Sequence, residues 1–332
     1  MSDKKNDISV PLPLVENKVF HINFISLMRN YGVIIATFLV FVFLSVSNTS
    51  FFSLRNISNI FDQSAEIGIM TAAYAIAIIS GNFDLSGGAI FALCGSLAAM
   101  IAQSGHPELG LFTAVAVSLF IGLINGLAVT LLRIHSFIAT LASGLIIQGV
   151  AFVLTNGNLF VVDNHRFAVL GQGKLFGISY PTYLFMLFAI VTGILLSRTT
   201  FGRYVYAIGG NIEAARLSGV RVDLMRIIIF GLTGLSAGLA SAISVSRICQ
   251  GHANMGGDLA LEAIARAVVG GVSILGGEGT ILGATFGVFL LRLIENGFNI
   301  LNVPPFYQYI LEGAVIFFAV AMDTLTKERA RS

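Results

Sequence analysis

The sequence predicts an all-α polytopic membrane protein. Three observations point to that class. Only 11% of the 332 residues are charged, against about a quarter in a soluble domain. Apolar residues make up 56% of the chain, and the mean hydropathy is +0.87. The apolar residues also cluster in runs near the roughly 20 residues a helix needs to cross a bilayer. Glycine is abundant (36) and proline scarce (6), a balance suited to closely packed helices in lipid. With no Trp in the chain, an interfacial aromatic belt would have to use Tyr and Phe. A net charge of +2 gives no basic field for nucleic acid. Cys94 and Cys249 form no framework and no metal-ligand spacing. Residues 1–19 lack the apolar core of a cleavable signal peptide.

Ten spans are expected, near 31–48, 60–80, 87–104, 108–132, 136–155, 180–197, 224–246, 259–275, 280–299 and 306–323. The count falls to eight or nine if 60–104 or 259–299 holds re-entrant pieces. With the N-terminus in the cytoplasm, thirteen Lys and Arg lie in inside segments and four in outside ones. This bias follows the positive-inside rule and requires an even number of spans. The expected organisation is a cytoplasmic tail over 1–30, a transmembrane domain over 31–323 and a second cytoplasmic tail over 324–332.

In chain order, the first break is GNFDLSGG, Gly81 to Gly88. Asn82, Phe83, Asp84 and Ser86 in this break are candidates for a substrate path or gate. Asp84 has a plainer alternative, solvated on the cytoplasmic side or capping the next helix. The loop 156–179 is the longest on the outside. The stretch 199–223 is polar and holds a short helix with marked ends. Asn211 is its N-cap, and Glu213 stands in the first turn and Arg216 in the last, as the helix dipole favours. Gly219 ends it in a left-handed conformation. Ala214 and Ala215 permit close approach, Leu217 offers an apolar knob, and Ser218 completes the last turn. A helix this short needs something to dock on. GLSAG, Gly234 to Gly238, fits the serine-hydrolase elbow, but mid-span it reads as small residues for helix packing.

A second break, GGVSILGGEGT, spans Gly270 to Thr280. Its Gly270, Gly276 and Gly277 repeat the spacing of Gly81, Gly87 and Gly88. Glu262 and Arg266 are four apart, Arg292 and Glu295 three apart, so each pair shares a helix face. The pairs either neutralise each other or line a path. Glu262, Arg266 and Asn296 are kept as path candidates, with Asn125, Gln148 and Asn299 as further polar groups. No nucleophile and base set points to an enzyme, and His21, His106, His135, His165 and His252 show no metal spacing. No cofactor is expected.

Three segments carry a resemblance. They are ISGNFDLSGGAIFALCGSLAA (Ile79 to Ala99), FGRYVYAIGGNIEAARLSGV (Phe201 to Val220) and AIARAVVGGVSILGGEGTILGATFGVFLLRLIENGFNIL (Ala263 to Leu301). In this order they resemble the permeases of bacterial ABC importers of the ribose/arabinose type, over about 60–323. The resemblance implies that Asn211 to Gly219 is a coupling helix seated on a cytoplasmic ATPase subunit. It also implies a periplasmic sugar-binding protein that docks near 156–179 and 247–258, a second permease copy in a homodimer, and surrounding inner-membrane lipid. The chain has no G-x-x-x-x-G-K-[ST] loop, so energy would have to arrive through contact. The substrate implied is a monosaccharide, arabinose or ribose being favoured over xylose and galactose. An ion-coupled secondary transporter is the rival, and would need a midplane acid in place of the 211–219 helix.

Overall fold

The computed structural model describes residues 24–49, 51–304 and parts of 306–321. Residues 1–23 and 324–332 of the expected tails lie outside the described residues, and the tenth expected span is described in part.

The elements in order are α1 (Phe24–Ser47), α2 (Leu54–Ile79), α3 (Gly87–Gln103), α4 (Pro107–Leu132), α5 (Ser136–Thr155), β1 (Phe160–Val161), α6 (His165–Gln172), β2 (Lys174–Leu175), β3 (Ile178–Ser179), α7 (Tyr180–Arg198), α8 (Thr200–Gly210), α9 (Ile212–Leu217), α10 (Val222–Ile248), β4 (Gln250–Gly251), α11 (Leu259–Val269) and α12 (Ile281–Ile300). Many starts are written locally. Ser53, Ser179, Thr199 and Thr280 each accept a backbone N–H in the first turn of α2, α7, α8 and α12. By length and composition, α4, α5, α7, α10 and α12 can each cross a membrane. The chain is an all-α polytopic membrane protein.

The centre of the bundle is α10, which packs along α4 on a seam of small residues. A Cβ on Gly234 would lie 2.4 Å from the Ser118 carbonyl oxygen, and one on Gly122 2.3 Å from that of Phe230. Ser236 is buried, so GLSAG is helix packing, as its mid-span position predicts. Helix α5 lies outermost, with Leu145 and Val153 71% and 76% exposed, a face suited to lipid.

One expected feature needs correction. The span at 259–275 is an 11-residue helix, α11, about 17 Å long and too short to cross alone. It stops because Gly270 and Gly271 follow, Gly271 at φ +88. The outer loop 156–179 is ordered. Strand β1 pairs antiparallel with β4, β2 pairs with β3, and α6 seats Phe167, fully buried, over α10. These pieces cover the mouth of the bundle.

The loops group at two ends of the bundle. At one end, the Gln103 amide donates to the Val161 carbonyl at 3.0 Å, so 103, 161 and 250–251 share a side. At the other, a cleft of about 710 Å³ brings Arg133 and His135 from the α4–α5 turn beside Glu213 and Arg216 of α9 and Asp223 and Arg226 of α10.

Candidate functional site: a capped lever and two broken helices

Helix α9 has the ends its sequence dictates. The Asn211 side chain accepts from the Glu213 and Ala214 backbone N–H groups, both at 3.0 Å. The Val220 N–H donates to the Ala215 carbonyl and the Gly219 N–H to that of Arg216. Ser218 is the C-cap, and Gly219 follows at φ +84. Arg216 pairs with Glu213 at 3.6 Å and with Asp223 at 3.9 Å. Both pairs are exposed and add little stability, but the second ties α9 to the start of α10. The two alanines divide. Ala215 is buried with Val220, Val222 and Met225 and anchors the helix. Ala214 is exposed, and Leu217 is 89% exposed. Thus Ala215 is no part of the outward face.

The first break, residues 80–86, runs as irregular chain along the start of α5. Backbone at membrane depth survives only where protein satisfies it, and α5 supplies the acceptors. The Phe83 N–H donates to the Ser136 hydroxyl at 3.1 Å, and the Leu85 N–H to that of Thr140 at 2.9 Å. Asn82 is buried and donates to the Ser80 hydroxyl at 2.9 Å. Asp84 is wholly buried, which corrects the solvated reading. The capping reading fails in its simple form too, since the N-cap of α3 is Ser86 and its side chain makes no cap bond. Asp84 instead closes a polar chain across four elements. Its Oδ1 accepts from the Ser86 N–H at 2.9 Å and hydroxyl at 2.5 Å, and its Oδ2 from the Thr233 hydroxyl at 2.5 Å. Asn125 donates to the Ser86 hydroxyl at 2.8 Å and accepts from Ser143 at 2.6 Å. Asn125 is therefore a tie between helices, and Gln148 is another, donating to the Ala253 carbonyl at 2.5 Å.

The second break repeats one turn of the first, in a register shifted from the expected one. Gly81 and Gly271 both have positive φ, +75 and +88. Each follows a helix with the same bonds: Gly81 N–H to Ile78 and Asn82 N–H to Ala77, Gly271 N–H to Val268 and Val272 N–H to Ala267. Gly81 thus matches Gly271, not Gly270. Gly276 and Gly277 have positive φ in a loop, while Gly87 and Gly88 begin a helix, so the remaining correspondence fails.

The breaks meet each other and α8. The Gly277 N–H donates to the Ile79 carbonyl at 2.8 Å. A Cβ on Gly209 would lie 1.8 Å from that carbonyl oxygen and 2.6 Å from the Gly277 nitrogen, so only glycine admits this approach. The Tyr206 phenol donates to the Gly279 carbonyl at 2.7 Å. Burial pushes that phenol up from its ordinary value, which keeps it a donor. Tyr206 and Gly209 were not assigned by sequence reasoning; a glycine inside a helix that needs no positive φ is the signal that could have found Gly209. Because α8 runs into α9, the exposed lever is continuous with the point where both breaks touch.

The charged pairs are one network. Arg266, 2% exposed, binds Glu262 at 3.2 Å and Glu295 at 2.8 Å, and Glu295 also binds Arg292 at 2.6 Å. Arg292 reaches the Gln63 carbonyl of α2 at 3.0 Å. Asn296 is held away from this line in a reciprocal amide pair with Asn56, at 2.8 and 3.0 Å. Beside it, Arg247 pairs with Glu66 at 3.3 Å. The structure therefore brings Glu262 and Arg266 together, keeps Asn296 one turn beyond, and sets Asn82, Phe83, Asp84 and Ser86 apart in the first break. Among the described residues no cluster suits a metal ion.

Comparison with known proteins places the chain. A family described as branched-chain amino acid transport system / permease component matches residues 56–320. The ribose import permease protein RbsC of Bacillus subtilis is 37% identical over 305 residues, covering 91% of this chain and 95% of that protein. The L-arabinose ABC transporter permease protein AraH of Azospirillum brasilense is 34% identical over 307 residues, 92% of this chain and 91% of that protein. The xylose transport system permease protein XylH of Escherichia coli is 31% identical over 360 residues, 90% of this chain and 91% of that protein. No solved structure matches at a significant level. The chain belongs to the family of transport-system permease components.

Proposed function

We propose that this chain is the permease subunit of an ATP-driven importer of a monosaccharide, in a bacterial inner membrane. Both of its termini are cytoplasmic, and its membrane domain runs over about 31–323. A separate ATPase subunit seats on α9, a periplasmic binding protein delivers sugar at the face built by α6, the β2–β3 hairpin and 247–258, and a second copy completes the path. A pentose such as ribose or arabinose is favoured, because relatives named for those sugars align over most of the chain. The family description names branched-chain amino acids, but the three relatives above are named for sugars.

One observation carries the coupling half of this reading. Helix α9 is fixed from within by Ala215 and presents Ala214 and Leu217 outward. Leu217 is an apolar side chain that nothing among the described residues covers, on a short helix that leads straight to the breaks. Docked ATPase subunits that close on nucleotide would shift α9 and α8 as a rigid body. The test is co-purification of the encoded ATPase with the permease. Wild type should retain it, and Leu217→Asp should lose it while the permease elutes as before. Retention by Leu217→Asp together with normal transport sinks the docking claim.

A buried carboxylate at membrane depth favours a second reading, a transporter coupled to an ion. All the described partners of Asp84 are hydrogen-bond donors within the protein, an arrangement that fixes helices without an ion, and that reading gives α9 no work.

A further inference from the structure

We infer that a mixed-charge strip on α2, α11 and α12 faces water rather than lipid and forms the wall along which a neutral, polyhydroxylated solute moves. This rests on the importer reading and locates the path within it.

The strip runs Asn59, Gln63, Arg292, Glu295, Arg266, Glu262. Its members contact each other in that order. The Gln63 amide donates to Asn59 at 2.9 Å, Arg292 donates to the Gln63 carbonyl at 3.0 Å, and the ion pairs follow at 2.6, 2.8 and 3.2 Å. Its centre, from Gln63 to Glu295, lies deep in the helices. Arg292 lies about 17 Å from the inner end of α12, and Gln63 about 14 Å from the outer end of α2, at 1.5 Å per residue. Yet one flank is open. Asn59 and Gln63 are exposed, the Glu262 side chain is 36% exposed, and those of Glu295 and Arg292 are 20% and 19% exposed. A charged group left against hydrocarbon at that depth costs about 2.5–3.5 kcal/mol on insertion scales. Five polar side chains opening on one flank are not a lipid face. Compare α5, where the residues exposed at similar depth are Leu145 and Ile146.

The chemistry also selects the solute. Two arginines and two glutamates cancel, so the strip has no net charge to hold an ion of either sign. It alternates donors and acceptors, and a sugar hydroxyl can serve as both. The same three helices reach the junction below. Helix α2 ends at Ile79, α11 ends at the second break and α12 begins after it. A shift at Gly209 therefore moves the strip.

The test uses the assembled complex of permease and ATPase in proteoliposomes. In a Cys94→Ala, Cys249→Ser background that still imports sugar, Gln63→Cys is compared with Leu145→Cys for reaction with a membrane-impermeant charged maleimide. The reactive species is the thiolate, which forms in water and not against lipid. Gln63→Cys should react at least about tenfold faster, and the sugar that the complex imports, chosen among D-ribose, L-arabinose and D-xylose, should slow it. Asn59→Cys is the second probe if Gln63→Cys assembles poorly. Rates equal to that of Leu145→Cys, or labelling that the imported sugar leaves unchanged, overturn the inference. The importer reading fails separately, by absence of ATP-driven uptake in the unsubstituted complex; fast labelling of Gln63→Cys would then still support a wet strip.

Discussion

At the scale of single residues, Asp84 and Gly209 show how far a local reading reaches. Asp84-Leu85-Ser86 reads in sequence as the start of a helix, and a helix does start at Gly87. What the stretch does not show is Thr233, 149 positions away and bonded to the carboxylate. Residue type can mark a buried acid as costly, but its partner is set by helix packing, which has no local signature. Truncating Asp84 strands the Ser86 N–H and hydroxyl donors, while the Thr233 hydroxyl keeps the Phe230 carbonyl, and a buried donor without a partner costs about 1–3 kcal/mol. Asp84→Ala should therefore lower the unfolding midpoint of the purified permease in detergent, and Asp84→Asn, which keeps an acceptor oxygen, should lower it less. Equal midpoints for wild type and Asp84→Ala would show the polar chain to be idle. Gly209 is the sharper case. A methyl there overlaps the Ile79 carbonyl oxygen at 1.8 Å, and since a Cβ is placed by the backbone and meets backbone, no rotamer relieves it. Overpacking of this kind costs about 1–3 kcal/mol. Gly209→Ala should part α8 from the breaks and abolish uptake, while Gly210→Ala, with open space around its Cβ, should transport normally.

At the scale of elements, legibility followed how local the determinants are. Both ends of α9 are written in neighbouring residues, Asn211 at one end and Gly219 at the other, so the helix was readable in full. Its inner and outer faces were not, because six residues are too few to show a period. That is why Ala215 passed for part of the outward face although it is buried. The eighth span misled for the opposite reason. Its composition is apolar beyond Gly270, yet the positive φ of Gly271 ends the helix, and hydropathy does not register backbone angles. The lever's stability and its contact can be separated by substitution. Asn211→Ala removes the cap, worth about 1 kcal/mol, and should reduce uptake in part by fraying α9. Ala214→Arg adds bulk to an exposed position with the cap intact, and should stop uptake while the unfolding midpoint stays unchanged. If Ala214→Arg transports at the wild-type rate, α9 is a connector and not a contact.

At the scale of the whole molecule, the fold class was legible because charge content, span length and the sidedness of Lys and Arg are bulk properties. The path was legible only in part. Glu262 and Arg266 read as path candidates from the sequence, but which flank of the bundle is left open did not, nor did the Glu295–Arg266 contact that joins the two pairs. The energetics of the assembly give the last test. The chain has no phosphate-binding loop, and on the proposed reading free energy for accumulation enters through α9. A tenfold concentration ratio requires about 1.4 kcal/mol per solute, well within what ATP hydrolysis delivers through a rigid contact. It is unreachable for a lone chain with no gradient to draw on. Reconstituted alone, the permease should equilibrate sugar at most, even with a proton or sodium gradient imposed. Adding the ATPase, binding protein and ATP should raise the internal sugar at least about tenfold above the external level. Accumulation by the lone chain on an ion gradient would transfer the mechanism to a membrane carboxylate, with Asp84 first in line, and leave the capped lever without a role.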